Sequence, residues 1–188
     1  WDYARVASLV AYPMDEKPLT VRGGIFTTKV SQEPSEDYYS RGIVVSRSNT
    51  RLVGIKHYVE DEGPEGAPYH GFYTVNYCSD VILDSILFTA HKTYYKTGAL
   101  GTPSAMGSYD LSLTKAVNVT VRNCAQSTLI VDSERWGVMG SNFCRNVIYE
   151  KNTLSRFDAH QGVYNATISD CVLGEIDCTG FGTLPVEN

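Results

Sequence analysis

The chain has 188 residues, of which 43% are hydrophobic and 20% are charged, which is enough apolar side chain for one domain with a packed core. The net charge is −5, from 16 Lys and Arg against 21 Asp and Glu, and this argues against a nucleic-acid partner because phosphates require clustered positive charge. No apolar run approaches the roughly 20 residues of a membrane span. With 13 Tyr and 16 Gly and few helix-favouring stretches, the composition favours β structure.

A short pattern recurs along the chain: a turn with Asn, Asp or Arg, an alternating apolar strand, and a polar residue that ends it. It occurs in Arg51-Leu-Val-Gly-Ile, Asp80-Val-Ile-Leu-Asp, Asn118-Val-Thr-Val-Arg, Asn146-Val-Ile-Tyr-Glu and Asn165-Ala-Thr-Ile-Ser, and an earlier segment, Leu19-Thr-Val-Arg-Gly-Gly, fits as a sixth. The five starts are 29, 38, 28 and 19 residues apart. Such uneven spacing excludes leucine-rich and helical-pair repeats, which keep a nearly fixed period.

A second alternating strand precedes each of the five segments by about one turn. These strands are Gly42-Ile-Val-Val, Gly71-Phe-Tyr-Thr-Val, Tyr109-Asp-Leu-Ser-Leu, Trp136-Gly-Val-Met-Gly and Gln161-Gly-Val-Tyr. The unit is therefore strand, tight turn, strand, polar corner, short third strand and a variable loop. Stacked at ~4.8 Å, such units predict an all-β fold, a right-handed parallel β-helix of about six rungs. The rungs span approximately 18–175 of a single domain or segment, 1–188, and 176–188 is a tail or the start of a further rung.

Two phrases carry a resemblance to a known group of proteins. Asn118-Val-Thr-Val-Arg-Asn-Cys and Leu19-Thr-Val-Arg-Gly-Gly-Ile-Phe resemble rungs of the pectin-lyase-like β-helix superfamily. The superfamily includes polysaccharide lyases, glycoside hydrolases, carbohydrate epimerases, phage tailspikes and adhesins. The resemblance therefore implies the fold and leaves the reaction open. The paired Asp-Asp, Gly-His-Gly and Arg-Ile-Lys motifs of polygalacturonases and the calcium-carboxylate and Arg set of pectate lyases are not found in the sequence.

The five cysteines test the register of the repeat. Cys124 and Cys171 each come six residues after the turn Asn of their segment, and Cys78 and Cys144 each come three residues before a strand valine. One rung separates the members of each pair, which places them ~9–10 Å apart, beyond the ~7 Å between Cα atoms that a disulfide allows. We expect small buried side chains rather than a disulfide framework, with a local Cys171–Cys178 clip as the alternative.

Several polar residues are expected at the corners of the coil. Ser85, Asn123, Asn152 and Asp170 fall at or beside the corner after the second strand, where they can bond orphan backbone groups. The Asn118 and Asn165 sequons are interpreted as tight-turn residues rather than glycan sites. The histidines His57, His70 and His91 are expected to be ordinary surface or corner residues.

Three long connections, Lys29–Arg41, Tyr58–His70 and Phe88–Ser108, all lead into the first strand of the next unit. They should crowd one flank and wall a groove, and long loops on one side are more often functional than decorative. The third contains Tyr94 and Tyr95, whose aromatic faces suit sugar rings.

The first strands would form the floor of this groove. In Tyr109-Asp-Leu-Ser-Leu the leucines point inward, which turns Asp110 and Ser112 outward. One rung later come Glu134, Arg135 and Trp136, followed in the next rung by outward Arg156, Asp158 and His160.

Two chemistries fit these residues. Glycoside hydrolysis needs an acid and a second carboxylate, and crowded carboxylates raise one pKa. A lyase needs a base and a cation beside a uronate, roles that Arg135, Arg156, His160 or Tyr109 could fill. The catalytic candidates are Asp110, Asp158, His160 and Glu134, and the substrate-binding candidates are Arg135, Arg156, Trp136, Tyr109, Tyr94 and Tyr95. A plain Arg156–Asp158 ion pair is the structural alternative.

The sequence thus predicts an extracellular or periplasmic carbohydrate-active enzyme that cleaves a polysaccharide, a glycoside hydrolase ahead of a lyase. The alternative is a non-catalytic glycan-binding β-helix, such as a tailspike or adhesin module. No cofactor or metal site is expected, except that a lyase could require calcium. About six rungs make a stack only ~25–30 Å tall, and neither end shows a clear cap, so additional rungs of the same polypeptide are expected. The absent start Met and signal peptide are interpreted as truncation.

Overall fold

The computed structural model describes residues 7–11, 13–30, 32–33, 42–90, 94–97, 103–106, 108–128 and 137–178. All regular structure in this part of the chain is β-strand. The strands are β1 Leu19–Arg22, β2 Ile25–Lys29, β3 Ile43–Val45, β4 Thr50–Val53, β5 Lys56–Glu60, β6 Tyr73–Asn76, β7 Ser79–Asp84, β8 Leu87–Phe88, β9 Tyr94–Thr97, β10 Pro103–Met106, β11 Tyr109–Thr114, β12 Val117–Arg122, β13 Ala125–Gln126, β14 Val138–Asn142, β15 Arg145–Glu150, β16 Thr153–Gln161, β17 Tyr164–Ser169 and β18 Val172–Cys178.

The strands pair in parallel in two curled sheets. The first sheet has the order β1-β4-β7-β12-β15-β17 and contains the second strand of every predicted unit. The other has the order β2-β5-β8-β13-β16-β14-β11-β6-β3, with β18 also paired to β16. This larger sheet joins the third strands to the first strands, because the long strand β16 pairs with β13 at one end and with β14 along the other. The predicted order of strands and corners is confirmed except in the last unit. There the predicted first strand Gln161-Gly-Val-Tyr spans the turn between β16 and β17, and the end of β16 pairs with β14 in its place. The arrangement is consistent with a β-helix or a similar solenoid.

Side chains from equivalent positions stack on one another inside the coil. Val119 pairs with Val81 on one side and Val147 on the other, and all three are fully buried. The period-two alternation of each strand sends the apolar residues to this interior face. Tyr73, Leu111, Met139 and Phe157 form the corresponding stack beneath the first strands. The predicted inward position of Leu111 and Leu113 is confirmed.

The turn before each second strand carries a ladder of Asn and Asp side chains. Asn49, Asp80, Asn118, Asn146 and Asn165 all have φ between 54° and 58°, the left-handed region that Asn and Asp tolerate best after Gly. Asn118 Nδ2 donates to Asp80 Oδ1 (3.0 Å), Asn146 Nδ2 to Asn118 Oδ1 (2.9 Å), and Asn165 Nδ2 to Asn146 Oδ1 (2.8 Å). Both sequon asparagines are turn residues, as predicted.

The opposite corner, after the second strand, is also built on left-handed residues. Ser85, Asn123, Lys151 and Asp170 have φ between 52° and 56°. The residue that follows each of them points inward, and Asn152 is the polar member of this set. Its Oδ1 accepts the N–H of Cys124 and its Nδ2 donates to the carbonyl of Val121, both at 2.9 Å. The predicted corner position of these residues is confirmed, and Asn152 makes the predicted bonds to backbone groups, whereas Ser85 and Asn123 bond the Asp84 carboxylate.

All five cysteines are free thiols. Cys78, Cys124 and Cys144 are buried, whereas Cys171 is half-buried and Cys178 is exposed. One unit separates Cys78 from Cys144, since Val117 N–H bonds the carbonyl of Cys78 and Arg145 N–H bonds that of Ala116. The predicted register of the cysteines is confirmed, and the alternative clip between Cys171 and Cys178 is not formed.

The three long connections follow third strands and precede first strands, as expected: β2 to β3, β5 to β6, and β8 to β11. The last contains the antiparallel hairpin of β9 and β10. Within the described residues, no helix is long and apolar enough to cross a membrane.

Candidate functional site

The outer face of the first strands presents one row of residues in register. Ser112 pairs with Thr74 and Gly140, Gly140 pairs with Asp158, and Asp158 pairs with Asp177. Each step along this row crosses to a neighbouring strand, about 4.8 Å away. Arg156 and Glu175 pair with each other two residues earlier on the same face. Ser112, Arg156 and Asp158, which the sequence predicts to line a groove, therefore lie on this face.

Asp110 is buried, although the alternation in the sequence predicted that it would line an open groove. It lies at a register shift between β11 and β14, and only 1% of it is exposed. Its Oδ2 accepts the N–H of Ala90 at 2.8 Å. A Cβ on Gly137 would lie 2.2 Å from the same Oδ2, so Gly137 is packed directly against the carboxylate. Asp110 thus fixes two connecting segments to β11 and does not reach the surface.

Ser112 is covered as well. Ser112 is 3% exposed, and a Cβ added to Gly71 would lie 3.4 Å from the Cβ of Ser112. The N–H of Tyr109 bonds the carbonyl of Tyr69 at 2.8 Å, which holds the connection before β6 against β11. The connections therefore close over this part of the predicted floor instead of walling it. The open part lies further along the row, toward β16 and β18.

Tyr109 is half-buried and lies across Gly140, where a Cβ would come 2.4 Å from the Tyr109 ring. Gly140 precedes Asp158 in the row, so the tyrosine ring lies next to the carboxylates. His70, which is exposed, has its ring 6.3 Å from that of Tyr109. The predicted substrate-binding Tyr109 is thus brought to the same surface as Asp158.

Arg156 joins three carboxylates into one cluster. Its Nη2 lies 2.9 Å from Asp177 Oδ2 and 3.6 Å from Asp158 Oδ2, and its Nη1 lies 3.5 Å from Glu175 Oε2. Because one nitrogen contacts both aspartates, the two carboxylates are close neighbours. His160 completes the cluster, with Nδ1 3.7 Å from Asp158 Oδ2.

The members of this cluster differ in their exposure. The Asp158 side chain is 5% exposed, whereas those of Asp177 and His160 are 38% and 46% exposed. Burial raises the pKa of Asp158, and the charges of Arg156 and His160 oppose that increase. Within the described part of the chain, Asp158 Oδ1 is buried without a hydrogen-bond partner. The site thus holds a buried carboxyl with a raised pKa beside a solvent-accessible carboxylate.

Glu175 and Asp177 were missed in the sequence. Their signal was present: Glu175-Ile-Asp177 follows Arg156-Phe-Asp158 by 19 residues, the same distance that separates Asn146 from Asn165. Extending the repeat by one unit would have placed Asp177 beside Asp158. The boundary that the sequence predicts at residue 176 falls inside β18, which continues to Cys178 and pairs with β16.

Some predicted residues cannot be placed relative to this cluster. Glu134, Arg135 and Trp136 lie outside the described residues. Tyr94 and Tyr95 lie in the hairpin strand β9, for which only the backbone is described.

His57 differs from its predicted surface position. It lies in β5, is 1% exposed, and stacks on Phe72 with ring centroids 3.6 Å apart. Thr28 Oγ1 lies 2.8 Å from its Nε2, and Thr89 Oγ1 lies 3.1 Å from its Nδ1. Its strand partner Phe26 and the alternation of β5 place it on the inward face, so it is a satisfied core histidine. His91 lies outside the described residues.

Within the described residues, no group of three or more His, Cys, Asp or Glu side chains is arranged to hold a metal ion. Comparison with protein families, curated proteins and solved structures finds no match to this chain.

Proposed function

We propose that the chain is a right-handed parallel β-helix of about six rungs with the architecture of the pectin-lyase-like superfamily, and that further rungs of the same polypeptide stack on it. The parallel registers and stacked corners support the first part. The proposal of further rungs is supported by side chains at both ends of the stack that face the interior of the coil but are exposed to solvent. Val21 and Phe26 at one end are each 39% exposed, and Ile176 at the other is 54% exposed, although their strand partners are buried. A solenoid normally covers such surfaces.

On this scaffold we propose a glycoside hydrolase that cleaves a polysaccharide at the Asp158 cluster. The observation that carries the proposal is the buried Asp158 carboxyl, whose pKa is raised and whose Oδ1 has no partner among the described residues. Such a group can donate a proton to the leaving glycosidic oxygen. Asp177, held by Arg156 and open to solvent, supplies the second carboxylate that activates water or attacks the anomeric carbon.

The charge of the cluster favours hydrolysis over elimination. Among the described residues, the three carboxylates of Asp158, Glu175 and Asp177 contact the guanidinium of Arg156. A lyase must bind and neutralise the carboxylate of a uronate, which this acidic cluster would repel. A neutral glycan carries no such penalty. The substrate class proposed is therefore a neutral polysaccharide, met outside the cytoplasm in an extracellular or periplasmic setting, with calcium required only by the disfavoured lyase reaction.

A non-catalytic glycan-binding protein is the second candidate. It is favoured by Arg156, which already bonds Asp177 and contacts Asp158 and Glu175, as a purely structural ion-pair cluster would. In that case the surface beside Tyr109 would bind sugar without cleaving it. The two candidates agree on the ligand and differ in whether a bond is broken.

The test is to incubate the chain, within its full-length polypeptide, with neutral and acidic polysaccharides and to assay both new reducing ends and absorbance near 235 nm. The proposal expects reducing ends from a neutral polysaccharide without new ultraviolet absorbance. New absorbance would indicate elimination and contradict it. Binding without either signal would favour the second candidate, and the absence of both cleavage and binding, with calcium supplied, would overturn both.

A further inference from the structure

A concave surface lies on the other sheet, away from the Asp158 cluster. It encloses about 360 Å³ on the outer face of the sheet formed by β4, β7, β12 and β15. One side is formed by the ladder of Asn and Asp side chains at the turns before the second strands, here Asn49, Asp80, Asn118 and Asn146. The other side is formed by outward-facing residues of the second strands, namely Arg51, Ile82, Thr120 and Ile148. We call this surface the ladder trough. It runs across the strands, parallel to the direction of stacking.

The ladder side of the trough retains hydrogen-bonding capacity. A primary amide has two N–H donors and two acceptor lone pairs. Asn118 uses one donor toward Asp80 and one lone pair for Asn146, and Asn146 uses one donor toward Asn118 and one lone pair for Asn165. Each of these amides therefore keeps one donor and one acceptor. Asn118 and Asn146 therefore present this pair of groups on two adjacent strands, about 4.8 Å apart.

The opposite side alternates apolar and polar side chains. Ile82, Thr120 and Ile148 are consecutive across the sheet, since Thr120 pairs with both isoleucines. Ile148 is 39% exposed, and Thr120 and Ile82 are half-buried. The trough thus combines apolar contact with convergent polar groups, the combination typical of small-molecule sites.

The charges of the trough narrow the ligand class. Arg51 and Asp80 are its only charged lining residues within the described part of the chain, and their charges cancel. An anionic polymer would gain little here, and the net charge of −5 disfavours nucleic acid further. An extended peptide would bind at a sheet edge rather than on a sheet face, because its backbone groups need unpaired strand partners.

We propose that the ladder trough binds a neutral oligosaccharide, with its chain running across the strands. Vicinal hydroxyls match the spare donor and acceptor of Asn118 and of Asn146, while the C–H faces of the sugar rings contact Ile82 and Ile148. A pyranose residue in an extended chain is about as long as one strand spacing, so two successive sugars can meet Asn118 and Asn146. Such a site would hold a polysaccharide to the protein independently of cleavage at the Asp158 cluster.

The experiment is an NMR titration of the Asp158→Asn variant, which keeps the ligand intact, with cellohexaose, xylohexaose, mannohexaose and maltohexaose. The proposal expects saturable shifts of the Asn118 and Asn146 side-chain amide signals with at least one of them. Thr120→Arg, which fills the middle of the trough, should weaken that binding by about tenfold or more. Ser169→Arg, on the same face but outside the trough, should leave it unchanged.

Shifts confined to residues around Arg156 and Tyr109 would overturn the proposal while leaving the hydrolase proposal intact. Unperturbed Asn118 and Asn146 amides with all four sugars, or equal binding by the Thr120 and Ser169 variants, would also overturn it. Conversely, trough binding without any polysaccharide cleavage by the unmutated protein would keep this site and remove the hydrolase.

Discussion

Asp158 and Asp110 show how strongly the surroundings of one carboxyl determine its use. Both lie on the outer side of first strands, and both are buried. Asp110 is tied to the N–H of Ala90 and packed against Gly137, so its surroundings are structural. Asp158 instead lies next to exposed His160 and Asp177, which connect it to solvent. Asp158 therefore differs from Asp110 in the solvent exposure of its neighbours and not in its own burial.

The raised pKa of Asp158 predicts a specific pH dependence of stability. Because the folded pKa lies above the unfolded one, the folded state binds the proton more tightly, and this contribution is lost as pH rises through the folded pKa. Asp158→Asn mimics the neutral form, so the variant should melt at a higher temperature than the parent near pH 7. The gain should disappear at pH values below the unfolded pKa of about 4.

Calorimetry of both proteins from pH 3 to pH 8 measures this difference. Asp84→Asn is the matched control, because hydrogen bonds from Asn123 and Arg122 lower the pKa of Asp84. That substitution should have the opposite effect and destabilise the protein near pH 7. A parent that is more stable than its Asp158 variant at pH 7 would contradict the account.

At the scale of the strand and turn, the sequence was informative because the determining interactions are local. The alternation of Val119 and Val121 fixes which face of β12 is buried, and the left-handed turn at Asn118 selects a residue type. Equivalent signals placed the corners and the cysteines. The burial of Asp110 and Ser112 could not be predicted in this way, since it depends on where distant connections pack rather than on the alternation of β11.

The corner residue Asn152 gives a prediction at this scale. Asn152→Ala would leave the buried N–H of Cys124 and the carbonyl of Val121 without their side-chain partner. We expect a loss of about 2–6 kcal/mol in the free energy of unfolding, since each of the two buried orphan groups costs about 1–3 kcal/mol. Chemical denaturation measures it.

The control for that prediction is Asn123→Ala at the same corner, where the exposed side chain bonds Asp84 Oδ1. It should cost about 1–2 kcal/mol, mainly from placing Ala in the left-handed region. Equal losses in the two variants would show that burial at Asn152 contributes nothing.

At the scale of the whole molecule, stacking of units is what assembles the candidate site. Arg156 and Asp158 come from β16, whereas Glu175 and Asp177 come from β18, and parallel pairing in register brings them together. The same stacking aligns Asn118 and Asn146, which form one side of the ladder trough on the other sheet. The sequence could predict Arg156, Asp158 and His160 as a group because they lie on one strand. Asp177 lies on a different strand, so its position beside Asp158 follows only from the 19-residue spacing of the last unit and not from the alternation within one strand.

The most direct measurement of the central claim is the rate of reducing-end release from the polysaccharide that the full-length protein cleaves, compared among single variants. If Asp158 donates the proton and Asp177 is the second carboxylate, Asp158→Asn and Asp177→Asn should each lower the rate by ~100-fold or more. Asp170→Asn, an exposed turn substitution away from the cluster, should keep the parental rate. Full activity in both cluster variants would contradict the account.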